Sequence, residues 1–168
     1  MKKIISILLM STLPAFVMAG EGHEMEGHEH GSHDMSAMAH EHDEADVGKP
    51  GDSNKVDRTI HITMTDNMRF TPDHVNLKKG ETIRFAIHNA GKVQHEMVIG
   101  TMAELKEHAA MMRANPNMHH VEPNMVSLAP GKKGDIIWQF EKAGTFNFAC
   151  LRPGHLEAGM KGEIVVKP

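Results

Sequence analysis

The sequence has no tyrosine, one tryptophan and one cysteine among its 168 residues. A chain with a single cysteine can form no internal disulfide. Lysine and arginine are missing from residues 20–48, which carry nine acidic side chains. Basic stripes interleaved with aromatics are absent throughout, and this excludes nucleic acid as a partner. Long apolar runs are also absent, apart from Ile4 to Val17. That run follows Met1-Lys2-Lys3 and is too short to span a membrane comfortably; it leads into Val17-Met18-Ala19, small residues of the kind a signal peptidase reads. Residues 1–19 therefore read as a signal peptide cleaved after Ala19. The lysines suit bacterial export, so the mature protein is expected in the periplasm, free of the membrane once cleaved. In that oxidising compartment a lone thiol is buried, paired between chains or occupied, and a metal would both occupy it and keep it reduced.

Methionine and histidine are in excess, at fifteen and fourteen. Many of them fall in residues 20–54, which read as a disordered tail and linker. Large apolar groups other than methionine are almost missing there, so no core can offset the cost of ordering the chain. The tail carries His23, His28, His30, His33, His40 and His42 together with Met25, Met35 and Met38. Imidazole and carboxylate favour Cu(II), Zn(II) or Ni(II), and thioether adds affinity for Cu(I), so these nine residues are candidate metal ligands. Gly48 to Asn54 reads as linker.

The folded body is expected over residues 55–168. Strands are predicted over Arg58–Thr65, Met68–Phe70, Val75–Leu77, Thr82–Ile87, Val93–Ile99, Met125–Leu128, Asp135–Phe140, Gly144–Cys150 and Glu163–Val166, from period-two alternation bounded by Gly and Pro turns. Thr101 to Arg113 is the one predicted helix. Thr101 and Glu104 form a capping box, Met102, Leu105, Ala109 and Met112 share a face, and Asn115-Pro116 ends it. Many short strands with one inserted helix argue an all-β sandwich or barrel. Phe70, Phe85, Trp138, Phe140, Phe146 and Phe148 are its expected aromatic core.

Chemistry concentrates in Phe146 to Met160. Cys150, His155 and Met160 follow one another at five-residue steps and offer a thiolate, an imidazole and a thioether. A trigonal His₂Cys set with a weak axial Met is a copper site, and it lacks only a second histidine. His95 is the candidate: on its predicted strand it alternates with Gln94 and Glu96 and shares the inward set with Val93, Met97 and Ile99. A Cys–His nucleophile would want an orienting third residue, and zinc would be poorly served by Met. A second candidate site gathers Met111, Met118 and His119 near the helix exit as a possible surface Cu(I) site, whereas Met112 belongs to the apolar stripe.

The stretch resembles the copper loop of the cupredoxins, the blue copper proteins, over roughly residues 55–168. More narrowly, the chain is similar to periplasmic cupredoxins of bacterial copper tolerance. The resemblance is carried by the His/Met-rich N-terminus, His95-Glu96-Met97-Val98-Ile99, the inserted helix, Glu122-Pro123-Asn124-Met125, and the run from Cys150 to Met160. It implies a Greek-key β-sandwich with type 1 copper at His95, Cys150, His155 and Met160. Glu96 departs from the Asn that follows the strand histidine in many electron-transfer members, which leaves the hydrogen bonding to the cysteine sulfur open. The expected role is copper binding for copper tolerance, with redox cycling at the copper, in a monomer. An electron carrier serving a periplasmic redox partner and a Cu(I)-oxidising protein are the alternatives; enzymatic activity is the less favoured reading.

Overall fold

In β2 (Arg58–Thr65) the alternation of Ile60, Ile62 and Met64 with polar residues turns one face inward, and Ile62 and Met64 are buried. The same rule builds most of the strands of this computed structural model, which describes residues 47–115 and 121–168. The others are β1 (Lys49–Pro50), β3 (Arg69–Thr71), β4 (His74–Lys78), β5 (Thr82–Asn89), β6 (His95–Gly100), β7 (Met125–Leu128), β8 (Lys133–Gln139), β9 (Gly144–Ala149) and β10 (Lys161–Lys167). They form two five-stranded sheets, ordered β1-β8-β5-β2-β3 and β4-β10-β9-β6-β7. The pairs β2–β5 and β4–β10 are parallel and the others antiparallel.

The core lies between the sheets. Ile62, Phe85 and Trp138 of the first meet Leu77, Met97, Phe146, Phe148 and Ile164 of the second in one buried cluster. All six expected core aromatics are buried, with Phe70 set edge-on to Phe148 at 5.0 Å between ring centroids. Each contributes on the order of 1.5–3 kcal/mol by leaving water.

The helix α1 (Met102–Ala114) has both halves of its capping box at Thr101 and Glu104, and Leu105, Ala109 and Met112 are its buried residues. It covers the outer side of the second sheet, where Leu105 and Ala109 pack with Val98, Ala149 and Leu151.

Three expectations are corrected. The stretch read as linker contains β1, which pairs with β8 through Lys49↔Gln139 and Pro50↔Trp138. Val47 just before it is buried and its carbonyl accepts from Trp138 Nε1 at 3.2 Å, so the folded body begins before residue 55. Val93 lies outside β6 and is 44% exposed, because the strand starts at His95. Glu96 is buried rather than outward, because β6 has the sandwich core on one side and the α1 cluster on the other. The expected signal peptide and the expected tail through residue 46, with all nine candidate ligands there, lie outside the described residues, as do Met118 and His119.

Candidate metal centre

β6 and β9 are hydrogen-bonded neighbours, with Val98 opposite Ala149. This sets the strand that starts at His95 beside the strand that runs into Cys150. From Cys150 the chain leaves the sheet and returns at Lys161, whose register partner is Ala149. The intervening loop is held by its own backbone. The Cys150 N–H donates to the Met160 carbonyl at 3.1 Å, the Met160 N–H to the His155 carbonyl at 3.0 Å, and the His155 N–H to the Arg152 carbonyl at 3.0 Å. Gly154, at φ 85°, makes the turn after Pro153 in a conformation that side chains disfavour. Arg69 braces the far side by donating to the Ala158 carbonyl at 3.0 Å.

The result brings three donors together. One ligand atom each from His95, Cys150 and His155 lies within 4.8 Å of the others, and no other group of this kind occurs among the described residues. Cys150 Sγ is 3.2 Å from His155 Nδ1, and the His95 and His155 rings are 5.0 Å apart at an angle of 54°. His95 and Cys150 are fully buried, while His155 is partly exposed. Met160 is fully buried in the same cluster as Cys150.

Electrostatics separates the three donors. Burial pushes the Cys150 thiol up to about 12, against the opposing N–H groups of Glu96 and Arg152. The Glu96 N–H donates to Sγ at 3.4 Å. Burial lowers the His155 pKa below its ordinary value, and the charges of His95 and Arg152 lower it further. His155 is thereby favoured neutral, the form that binds metals. His95 Nε2 lies 3.1 Å from Asp66 Oδ1, while its Nδ1 is buried with no hydrogen-bond partner. Buried polar atoms are rarely left bare, and such an atom asks for an explanation. A metal ion answers it: the three donors stand close enough together to hold one. A thiolate and two imidazoles, with Met160 in the same buried cluster as the thiolate, fit copper.

Sequence reasoning missed Asp66. It stands in the turn after β2, nearly thirty positions from His95, and no local pattern links them. The Lys92 N–H, which donates to Asp66 at 2.7 Å, holds its carboxyl below the ordinary carboxylate range; burial opposes, and the His95 and Val93 contacts assist. Asn89 was also missed. Fully buried, it donates to the Val93 carbonyl at 2.8 Å and the Leu128 carbonyl at 2.9 Å, and so fixes the loop leading to His95. In the second candidate site, Met111 is 42% exposed on α1.

A family model for the cupredoxin-like domain matches residues 36–166. Copper-resistant cuproprotein CopI of Rubrivivax gelatinosus is 51% identical over 84% of this chain and 85% of its own length. Its namesake from Vibrio cholerae is 32% identical over 91% of this chain and 94% of its own length. Among solved structures, auracyanin B superposes with a TM-score of 0.60 at 21% identity, over 73% of this chain and 97% of its own. Auracyanin from Roseiflexus castenholzii gives 0.58 at 23% identity, over 67% and 99%. These last likenesses establish the fold. From the match over most of its length and its identity with the CopI cuproproteins, the chain belongs to the cupredoxin family.

Proposed function

We propose that this chain is a copper-tolerance protein that is exported to the periplasm and holds one copper ion with His95, Cys150 and His155, with Met160 as a weaker fourth donor. The observation that carries the reading is the convergence of Cys150 Sγ with one nitrogen each of His155 and His95 in a buried place, His95 having its Nδ1 without a partner. The copper-resistant cuproproteins of R. gelatinosus and V. cholerae support the role in tolerance.

His95, Cys150, His155 and Met160 would hold the copper, which would supply one-electron redox chemistry when bound. The residues of the chain set the terms. Cys150 carries its proton when free, since burial raises its pKa, and yields it on binding. Met97, Phe146 and Phe148 belong to the same buried cluster as Cys150, which keeps bulk water from the sulfur. His155 reaches the surface and gives the site its one partly exposed edge. That edge favours a second reading, an electron carrier, in which His155 is the port to a redox partner. A deletion strain with unchanged copper sensitivity would favour the carrier over the tolerance protein.

The test is copper titration of the mature protein with optical and paramagnetic spectra, beside Cys150→Ser. The wild type is expected to develop intense thiolate-to-copper absorption in the visible and the variant to lack it. An equally intense band in Cys150→Ser would sink the ligand assignment.

A further inference from the structure

We propose that Asp66 is a positioning residue for the copper site: it decides which nitrogen His95 presents, and its negative charge biases the site toward the oxidised ion. The inference rests on His95 being a copper ligand, as proposed above.

A neutral imidazole carries its proton on one of two nitrogens, and the partner of one decides the state of the other. His95 Nε2 is 3.1 Å from Asp66 Oδ1. A carboxylate only accepts hydrogen bonds, so it fixes the proton on Nε2. Nδ1 is then left with a free lone pair, and Nδ1 is the buried atom without a partner. The nitrogen that the carboxylate leaves free for a metal is thus the one that no protein group takes up.

The carboxylate is itself held. The Lys92 N–H donates to Asp66 Oδ2 at 2.7 Å, and the Val93 N–H lies 3.4 Å from Oδ1. Gly91 closes the arrangement: a Cβ at that position would sit 2.0 Å from Asp66 Oδ1. The loop between β5 and β6 is therefore shaped around the carboxylate. Asp66 comes from the turn after β2, in the first sheet, and His95 opens β6 in the second. The contact thus ties the two sheets together at the metal centre. Its side chain is 38% exposed while that of His95 is fully enclosed.

The sign of the charge effect follows from Coulomb's law. A negative charge one imidazole away stabilises the more positive ion more strongly, so it favours Cu(II) over Cu(I) and lowers the reduction potential. The same bond raises the basicity of the ligand nitrogen, and loss of such an outer partner typically costs roughly 10–100-fold in metal affinity.

The test uses the full mature chain, Asp66→Asn and Asp66→Ala. Asp66→Asn removes the charge and keeps one oxygen for the Nε2–H, at the loss of the Lys92 bond. Three readouts are taken: the thiolate-to-copper band, the reduction potential, and the His95 tautomer by long-range nitrogen NMR of the metal-free protein. Wild type is expected to show the proton on Nε2 without metal. Asp66→Asn is expected to keep the band, with a raised potential and Cu(II) affinity down roughly 10–100-fold. Asp66→Ala is expected to lose the single tautomer. An intact band with an unchanged potential in Asp66→Asn, or a single wild-type tautomer in Asp66→Ala, would overturn the role of Asp66 alone. A wild type without the band would overturn the ligand assignment itself.

Discussion

At the scale of residues, the four proposed ligands differ in how firmly the chain holds them. Cys150 and Met160 are tied by a direct backbone hydrogen bond of 3.1 Å at the mouth of the loop, and both are fully buried. Met160 has little freedom to follow a change at the metal. Its thioether is a weak donor that tunes the ion rather than retaining it. Met160→Leu keeps the volume and apolar character of the side chain, so the core should accept it at a cost below about 1.5 kcal/mol. The expected outcome is a retained thiolate-to-copper band with a raised reduction potential, because the oxidised ion loses a donor. Complete loss of the band, measured beside an unchanged melting temperature, would make Met160 a required ligand instead. The Cys150, His155 and Met160 spacing was legible in the sequence because it is local, and the structure brings Cys150 and His155 together with His95. Asp66 and Asn89 were not legible, since each acts on the loop before His95 through contacts that only the tertiary fold creates.

At the scale of elements, the sheet that bears the site depends on close packing behind it. Gly162 sits opposite Phe148 in the β9–β10 register. A Cβ there would lie 2.2 Å from Phe148 Cζ and 2.7 Å from the Asp73 carbonyl oxygen. Phe148 is fully buried against Phe70 and stands two residues before Cys150. Gly162→Ala must therefore move Phe148 or part β10 from its neighbours. Overpacking of this kind costs typically about 1–3 kcal/mol. The expected outcome is a lower melting temperature together with a broadened copper band, read by thermal unfolding and optical spectra; a variant with wild-type values in both would show that the ring can step aside freely. Period-two alternation read β2 and β7 with their observed ends, and the capping box read α1 to within a residue, because those signals are carried by neighbours in the chain. β1 had no such signal. It is two residues long, includes a proline, and exists by pairing with β8 some ninety positions away. Glu96 misled for a related reason. A strand covered on both faces loses the alternation that exposure imposes, so a polar residue in it no longer marks the outside.

At the scale of the whole molecule, the ligands are distributed so that copper should act as a cross-link within one sheet. His95 opens β6, Cys150 follows β9 and Met160 precedes β10, and β10, β9 and β6 are consecutive neighbours in the second sheet. An ion bound there favours the folded body over the unfolded chain, by about 4 kcal/mol when free copper is a thousandfold above its dissociation constant. The proposed tail ligands, from His23 to His42, precede β1 in the chain, and copper taken there is expected not to add to the stability of the body. The two classes of site can therefore be separated by one deletion. Removing residues 20–46 retains Val47, whose carbonyl accepts from Trp138, and β1 with it. The truncated protein is expected to bind fewer copper ions than the full mature chain, yet to show the same visible band and the same rise in melting temperature when copper is added. Cys150→Ser is expected to do the reverse, keeping most of the tail's stoichiometry and losing both the band and the stabilisation. Metal analysis and calorimetry on the three proteins decide the matter. If the truncated chain loses the copper-induced stabilisation, the tail contributes to the centre itself, and the division of labour between capture and holding must be abandoned.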